Sequence, residues 1–387
     1  MAITSDYAVP IIDLESFPEQ SKKLIQACEE WGCFRITNHH RILPAPLAAE
    51  MKAVTRSLLD LPAEIKRRNT DVIAGSGYMA PSKINPFYEG LGLYDISSSD
   101  AVEAFCTQLD ASHDQRFFFF FFFFNSLYTK SLLITVIPLH ELGFFGTHKV
   151  KFEVVLRDGV SRNAWFYRLL GLVSENYIAS LSLYLSKLDS YLIRKTIMKY
   201  AEAIHELAMD IMGKLAEAMG LSTLSFEDWP CQFRINKYNF TPETVGSTGV
   251  QIHTDSGFLT VLQDDENVGG LEVMNKSGEF VAVEPMLGTL VVNFGDIATI
   301  WSNGRFRNVK HRVQCKEATI RLSIASFLLG PKEALVEAPP ELVDSEHPRL
   351  YVPFTYKDYR MLRISNNFSA GEALDHVLVN CSQTAQA

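Results

Sequence analysis

Apolar and polar residues alternate in different ways along the chain, and the difference divides it into two parts. In the first part, apolar runs at 9–12 and 33–37 predict short strands. Helical spacing of apolar residues predicts helices over about 18–31 and 45–59. The N-terminal part is therefore expected to combine helices and strands.

Helical spacing also predicts a helix between the two parts, over residues 196–220. Gly220 stands at its end, where a helix C-cap is expected. We expect the apolar stripe of this helix to pack against the core. The stripe comprises Ile197, Ala201, Ile204, Leu207, Ala208, Ile211, Met212, Leu215 and Met219.

From residue 231 onward the pattern changes to short strands separated by turns. Many short strands with turn-separated spacing indicate a β-sandwich or barrel. The whole chain is therefore expected to be α+β, mainly β. The predicted strands cover 233–238, 249–262, 270–273, 289–294, 311–314 and 321–328.

Residues 116–195 depart from both patterns. Eight consecutive phenylalanines at 117–124 fit neither period, and the segment has ten basic against five acidic residues. One interpretation is a transmembrane helix over 117–139, but Lys130 lies inside this span. Another is a genuine inserted subdomain, but the phenylalanine run would then expose an aggregation-prone face. We favour translated non-coding sequence, because thymine triplets encode phenylalanine, and expect the chain without 116–195 to be the soluble, active form.

Composition narrows the class of protein. A chain that is 47% hydrophobic and 21% charged is globular rather than disordered. Its net charge of −9 argues against a nucleic-acid binder, which needs clustered basic residues. Six cysteines without a CxxC pair, and no secretory pattern at the N-terminus, favour reduced thiols. We expect a cytoplasmic protein with neither nucleic acid nor membrane as a partner.

Candidate chemistry lies in the strand-rich part. His253 and Asp255 are two residues apart on a predicted strand, so their side chains are expected on one face. With His311 they make two histidines and a carboxylate, the facial triad of non-haem Fe(II) oxygenases. The same three residues could instead form a zinc hydrolase site, or be hydrogen-bonded polar residues in a barrel mouth.

A predicted carboxylate clamp follows the triad. Strand alternation places four side chains on the same face of the predicted strand 321–328, namely those of Arg321, Ser323, Ala325 and Phe327. An arginine on an inward face needs a buried anion, and its planar fork suits a carboxylate. A metal site beside such a clamp suits a 2-oxo dicarboxylic acid, which would chelate the metal at one end. A zinc hydrolase gives Arg321 no task.

The order of motifs resembles the plant 2-oxoglutarate- and Fe(II)-dependent dioxygenases. The likeness covers nearly the whole chain outside 116–195. The opening segments Val9-Pro10-Ile11-Ile12-Asp13-Leu14 and Trp31-Gly32-Cys33-Phe34 also look like this family. The other matching motifs are His253-Thr254-Asp255, Asn293-Phe294-Gly295-Asp296, Trp301-Ser302-Asn303-Gly304, His311-Arg312-Val313 and Arg321-Leu322-Ser323.

This resemblance implies a double-stranded β-helix (jelly-roll) core with flanking helices and an N-terminal α/β part. It implies Fe(II) held by His253, Asp255 and His311, with 2-oxoglutarate and O2 as co-substrates. Tyr238 would donate its hydroxyl to the distal carboxylate of 2-oxoglutarate. The expected co-substrate residues are Arg321, Ser323, Tyr238 and Asn236.

The resemblance also implies a substrate. Around residues 251–273 the chain is similar to the auxin-oxidising dioxygenases, which convert indole-3-acetic acid to 2-oxindole-3-acetic acid with release of succinate and CO2. Arg234 would bind the substrate carboxylate, unless it forms a surface salt bridge, and Phe327 would pack against the indole. Another plant hormone or a flavonoid remains an alternative substrate. A further alternative is that the polypeptide is inactive because residues 116–195 disrupt it.

These expectations divide the chain into five stretches. Residues 1–115 are the predicted N-terminal non-haem dioxygenase domain, and 231–335 the predicted Fe(II)/2-oxoglutarate jelly-roll core. Between them lie the predicted insert, 116–195, and the packing helix, 196–230. A helical C-terminal segment, 336–387, completes the chain.

Overall fold

The structure is a computed structural model of the 387-residue chain. It describes residues 8–109, 175–221, 226 and 228–379, together with three short strands between 121 and 155. For the described residues within 121–189, only the backbone is described. Met1–Leu109 and Arg194–Ala387 form one compact unit, and Asp110–Ile193 forms another. Most of the phenylalanine run, most of the transmembrane span considered for 117–139 and most of the predicted insert lie outside the described residues, so the origin of 116–195 stays a prediction.

Helices account for much of the first half of the described chain. The α-helices are α1 (Ser21–Glu30), α2 (Ala45–Leu59), α3 (Ala63–Lys66), α4 (Ser99–Gln108), α5 (Glu175–Ala218), α6 (Asp296–Trp301) and α7 (Tyr356–Ser365). Short 3-10 helices cover Pro242–Thr244, Pro340–Leu342 and Glu372–Val377.

Sixteen strands lie among the described residues. They are β1 (Ile11–Asp13), β2 (Cys33–Thr37), β3 (Tyr88–Leu93), β4 (Phe121–Phe122), β5 (Leu133–Ile137), β6 (Lys151–Val155), β7 (Cys231–Asn239), β8 (Thr248–His253), β9 (Leu259–Gln263), β10 (Leu271–Met274), β11 (Phe280–Ala282), β12 (Leu290–Phe294), β13 (His311–Gln314), β14 (Ile320–Leu328), β15 (Leu335–Val336) and β16 (Phe354–Thr355).

Two of the sheets form the core. The larger has seven strands in the order β1-β2-β12-β9-β14-β7-β3, and the smaller has four in the order β11-β10-β13-β8. β15 pairs with β16, and β4, β5 and β6 form a separate three-stranded sheet within the second unit. The N-terminal strands β1 and β2 thus extend the sheet that carries the long central pair β7 and β14.

Apolar side chains join the two core sheets at both sides. Burial of such residues is the main force that holds sheets face to face. One cluster comprises Trp31, Cys33, Leu271, Val273, Val283, Val291 and Val309, and the other comprises Tyr88, Tyr238, Phe240, Val313 and Cys315. The space between these clusters is where the site lies.

The part of helix α5 from Arg194 onward packs on the larger sheet of the same unit. Tyr200 packs its ring against Phe233 and donates its hydroxyl to Gln263 Oε1 at 2.9 Å. Gly220, with φ of +72°, ends the helix as predicted, and Leu221 donates its N–H to Ala216 O. The predicted stripe is buried except for Met219, which is partly exposed.

The structure corrects two predictions and adds a strand that was not predicted. The predicted strand 249–262 is two strands, because the chain leaves the smaller sheet after His253 and enters the larger sheet at Leu259. Helix α5 begins at Glu175 rather than at residue 196. Strand β3 was not predicted, although it pairs with β7 along its whole length. Its two glycines hide the alternation that would have indicated a strand.

Within the described residues, the helices are too short or too polar to span a lipid bilayer.

Candidate active site

Two histidines and one aspartate converge at the open end of the smaller sheet. Asp255 Oδ1 lies 3.9 Å from His253 Nε2 and 3.9 Å from His311 Nε2. The ligand atoms of the three residues lie within 4.8 Å of one another, and no other such group occurs among the residues that the structure describes. The three predicted metal ligands therefore form one site.

Strand pairing and backbone carbonyls orient both imidazoles. His253 and His311 are paired residues of β8 and β13, and their ring centroids are 4.1 Å apart. The Nδ1 atom of His253 lies 2.9 Å from Gln251 O, and that of His311 lies 3.1 Å from Val309 O. Because these carbonyls accept a hydrogen bond from Nδ1–H, each Nε2 keeps its lone pair for a metal.

Asp255 lies beyond the end of β8, which corrects the prediction that it shares a strand with His253. Strand pairing stops because the N–H of Thr254 bonds to Ser369 O. Asp255 Oδ2 accepts hydrogen bonds from Thr260 Oγ1 at 2.5 Å and from Asn293 Nδ2 at 2.8 Å. These two donors fix the carboxylate so that Oδ1 faces the imidazoles.

The protonation states suit a divalent cation. Removal of the imidazole from water lowers the pKa of His253 to about 4, and the neighbouring His311 lowers it further. Burial alone would raise the pKa of Asp255, but the two imidazoles and its hydrogen bonds hold that pKa below its usual value. At neutral pH the site thus presents a neutral His253 imidazole and an ionised carboxylate, as metal binding requires. Two imidazoles and one carboxylate fit Fe(II) with further positions open.

A cavity of about 800 Å³ extends from the three ligands between the two sheets. Arg321, only 1% exposed, lies in its wall, and its guanidinium carbon is 4.9 Å from the centroid of the Tyr238 ring. The Nη2 atom of Arg321 forms an ion pair with Asp264. Its Nε and Nη1 atoms have no hydrogen-bond partner among the described residues. Two unpaired buried donors fit a bound carboxylate such as that of 2-oxoglutarate.

Polar side chains of β7 and β14 continue the cavity wall beside Arg321. Asn236 donates to Ser323 Oγ at 3.3 Å and accepts from the Tyr88 hydroxyl at 2.9 Å. Burial raises the pKa of Tyr238 to about 12, so its phenol stays protonated and can donate. All four predicted co-substrate residues line one cavity.

Comparison with known proteins identifies the chemistry that this geometry serves. Residues 229–330 match the 2OG-Fe(II) oxygenase superfamily, and residues 9–112 match the N-terminal family called non-haem dioxygenase in morphine synthesis. The 2-oxoglutarate-dependent dioxygenase DAO of Oryza sativa subsp. indica is 44% identical over 372 residues, which cover 95% of this chain and 97% of that protein. The chain belongs to the 2OG-Fe(II) oxygenase superfamily.

Solved structures of this superfamily share the fold over most of the chain. The crystal structure of the dioxygenase for auxin oxidation of rice has a TM-score of 0.71 and 42% identity, and the match covers 96% of this chain and 100% of that one. The dioxygenase for auxin oxidation 1 of Arabidopsis thaliana, in a binary complex with 2-oxoglutarate, has a TM-score of 0.64 and 46% identity, with 88% and 100% covered. The predicted double-stranded β-helix is confirmed. The protein is a 2-oxoglutarate-dependent dioxygenase with an iron site, which sets the zinc hydrolase aside.

The mouth of the oxygenase cavity is built differently from its inner end. Arg234, only 7% exposed, donates to the carbonyl oxygens of Gly75 and Gly77. Arg360 of α7 donates to Ala74 O, and its Nε has no partner among the described residues. Both arginines line the cavity, and in the described part of the chain neither forms an ion pair with a carboxylate. The surface salt bridge considered for Arg234 is therefore not what the structure shows.

The loop held by these arginines lies directly on the larger sheet. A side chain at Gly92 of β3 would collide with the carbonyl oxygen of Ser76. Asp71 fastens the loop by accepting the N–H groups of Gly75 and Gly77. Glycine at position 92 thus allows the backbone of the loop to pack directly against β3.

A buried ion pair connects α7 with the metal ligands. Arg363 pairs with Asp296 and donates to both the carbonyl and the hydroxyl oxygen of Thr254, the residue between His253 and Asp255. Tyr359 also donates its hydroxyl to Asp296 Oδ2, at 2.8 Å. This network was not predicted, because Asp296 and Arg363 are 67 positions apart and neither lies in a strand that indicates its direction.

The structure places all nine predicted site residues along this cavity. Phe327 and Arg234, the predicted substrate residues, face it together with the metal and co-substrate residues. Sequence reasoning missed several functional neighbours, which lie in strands β9 and β12, directly after β9, or in helix α7. These are Thr260, Asp264, Asn293, Arg360 and Arg363.

Proposed function

We propose that this dioxygenase oxidises indole-3-acetic acid to 2-oxindole-3-acetic acid, with release of succinate and CO2. The observation that carries the proposal is the cationic mouth of the cavity. Arg234 and Arg360 line it with only backbone carbonyls as described partners, so a substrate carboxylate would be their first anionic partner. The likeness to the auxin-oxidising enzymes of rice and Arabidopsis supports the same substrate.

The inner end of the cavity would hold 2-oxoglutarate. Its distal carboxylate would accept hydrogen bonds from Nε and Nη1 of Arg321, which have no other partner among the described residues. The hydroxyls of Ser323 and Tyr238 would donate further hydrogen bonds to it. Asn236 would keep Ser323 in place through their mutual hydrogen bond. The 2-oxo acid end then reaches toward the three metal ligands.

His253, Asp255 and His311 would hold the iron. When bound, Fe(II) supplies the activation of O2 that couples oxidation of 2-oxoglutarate to oxidation of the substrate. The protein contributes fixed imidazoles, an ionised carboxylate and a cavity that encloses both substrates.

The substrate ring would lie between the mouth and the iron. Phe327 lines the cavity two residues beyond Ala325, the pairing partner of Arg234 on β7. A substrate whose carboxylate meets Arg234 would therefore bring its aromatic ring near Phe327, and such ring contacts add about 0.5–1.5 kcal/mol beyond area burial.

The test is an assay of succinate formation with a panel of possible substrates. We expect turnover of indole-3-acetic acid and none of neutral indoles, and Arg234→Met should lose this preference. The matched control is Arg307→Met, since Arg307 also donates to two backbone carbonyls but lies outside the cavity wall. Turnover of a gibberellin or flavonoid, without response to indole-3-acetic acid, would leave the dioxygenase class intact and refute the substrate.

The described cysteines fit a cytoplasmic enzyme. Cys28, Cys33, Cys231 and Cys315 are buried thiols that form no disulfide. Such thiols persist in a reducing compartment. We therefore place the enzyme in the cytoplasm, and fractionation of cells that express it would test this.

A further inference from the structure

The co-substrate clamp contains an anion of its own. Asp264 directly follows β9, and its side chain is 7% exposed where it meets Arg321. Asp264 Oδ1 accepts from Arg321 Nη2 and from the N–H of Asp265, whereas Oδ2 has no partner among the described residues. Asp264 does not line the cavity, so it lies behind Arg321 as seen from the bound co-substrate.

A fully buried guanidinium needs a counter-ion at every stage of turnover. Before 2-oxoglutarate binds, Asp264 is the carboxylate in contact with Arg321, since no other described carboxylate pairs with it. Without Asp264, the empty enzyme would hold an unpaired charge away from water, which is strongly unfavourable. Asp264 therefore stabilises the ligand-free clamp.

The same carboxylate opposes the ligand once it arrives. The distal carboxylate, bound to Nε and Nη1, would contact the same guanidinium as Asp264. Two carboxylates on one guanidinium in a protein interior repel each other. Succinate, the product, keeps the distal carboxylate but has lost the 2-oxo group that chelates the metal. Its retention therefore depends more on Arg321 than the retention of 2-oxoglutarate does.

We propose that Asp264 is a positioning residue and resident counter-ion of Arg321 that weakens the binding of dicarboxylates and so allows succinate to leave. The proposal rests on the proposed placement of the distal carboxylate on Arg321. Asp264→Asn separates the two roles, because the amide oxygen can still accept from Nη2 while the negative charge is gone. Asp264→Leu removes the acceptor as well as the charge.

The test is equilibrium binding of 2-oxoglutarate and of succinate to the full chain, by calorimetry without oxygen and with Mn(II) in place of Fe(II). We expect Asp264→Asn to bind both ligands about 3- to 30-fold more tightly. Its ligand-free form should unfold at a lower temperature than the wild type. Asp264→Leu should bind both ligands more weakly, because Arg321 is no longer held. In turnover, succinate should inhibit Asp264→Asn at a correspondingly lower concentration.

Glu89→Gln is the matched control. Glu89 forms a 2.6 Å ion pair with Lys66, both side chains are 8% exposed, and neither lines the cavity. This variant should unfold at a lower temperature and keep both affinities. Should Asp264→Asn not fold, Asp264→Ser, which is also neutral and can accept a hydrogen bond, carries the same prediction.

Two outcomes would overturn the proposal at different points. An unchanged 2-oxoglutarate affinity in Arg321→Leu would refute the placement of the ligand and the role of Asp264 with it. A lower affinity in Arg321→Leu, together with unchanged or weaker binding in Asp264→Asn, would keep the placement and refute the role of Asp264.

Discussion

The inner end and the mouth of the cavity are held in place by different means. At the inner end, Arg321 pairs with Tyr238 and Ser323 pairs with Asn236 along two long neighbouring strands. At the mouth, a loop at 74–77 and helix α7 meet through a few side-chain contacts between distant parts of the chain. Strand pairing fixes the residues of the inner end, which every turnover requires. The residues of the mouth are held by side-chain contacts, and substitutions at these contacts would leave the sheet unchanged.

This difference separates the shared chemistry from substrate choice. The iron ligands and the proposed 2-oxoglutarate clamp lie on or beside β7, β8, β13 and β14. The groups proposed to select the substrate are Arg234 of β7, Arg360 of α7 and Phe327, which lies on β14 six positions beyond Arg321. Changes at the inner end should affect metal or co-substrate, and changes at the mouth should affect the prime substrate.

The largest effect is expected at the metal ligands. His253→Ala, Asp255→Ala or His311→Ala should reduce turnover to background, because an open site with three protein ligands retains metal poorly after losing one. Bound iron and succinate formation are the measurements, with circular dichroism to show that the fold persists. His347→Ala, at an exposed histidine outside the cavity, should behave as the wild type. Near-normal turnover in any ligand variant at stoichiometric iron would refute the triad.

The next largest effect should separate the two substrates. Arg321→Leu should raise the KM for 2-oxoglutarate about 10- to 150-fold, the equivalent of a charge-assisted hydrogen bond of about 1.5–3 kcal/mol. Ser323→Ala should raise it less, since a neutral hydroxyl contributes less. The KM for the prime substrate should stay within about threefold in both variants. Equal impairment toward both substrates would count against the inner end as a co-substrate clamp.

Strand alternation is why the inner end could be predicted. Asn236 and Tyr238 are two positions apart, as are Arg321 and Ser323, and all four face the cavity. A period of two is a property of the strand itself, so it needs no knowledge of the tertiary structure. The predicted strand 311–314 has the observed bounds for the same reason, and helix 45–59 has them because its 3.6-residue spacing of apolar positions is equally local.

Arg234 itself was predicted to face the site, but the contacts that build the mouth could not be predicted because they span long stretches of sequence. Arg234 reaches Gly75 across 159 positions, and Arg360 reaches Ala74 across 286. No local pattern indicates which loop will meet which helix. Asp264 was missed for a related reason: it follows a strand rather than lying in one, so alternation does not indicate its direction.

One ion pair makes the separation between mouth and iron site incomplete, and a variant can test this. Arg363→Met removes the donors that hold Thr254 between the two metal ligands. Partners of this kind commonly change metal affinity about 10- to 100-fold, so the affinity for Fe(II) or Mn(II) should fall within that range. Asp296 would also lose its cation in a buried position, which should lower the unfolding temperature.

The control for this experiment is Arg305→Met, since Arg305 forms an exposed pair with Glu29 away from the site. It should leave metal affinity and thermal stability close to those of the wild type. A wild-type metal affinity in Arg363→Met, with only the prime substrate affected, would show that mouth and iron site are independent after all.

The smallest effect is expected at Phe327, which lies on an inner-end strand but faces the proposed position of the substrate ring. Phe327→Leu keeps an apolar side chain and loses the aromatic contact, so kcat/KM for indole-3-acetic acid should fall about 2- to 10-fold, as expected from about 0.5–1.5 kcal/mol. The KM for 2-oxoglutarate should not change, because Phe327 is six positions beyond Arg321 on β14. Phe280→Leu, whose ring packs against Arg312 outside the cavity, is the matched control and should change neither constant. The opposite result would be a changed KM for 2-oxoglutarate in Phe327→Leu with an unchanged kcat/KM for indole-3-acetic acid. It would assign Phe327 to the co-substrate site rather than to the substrate site.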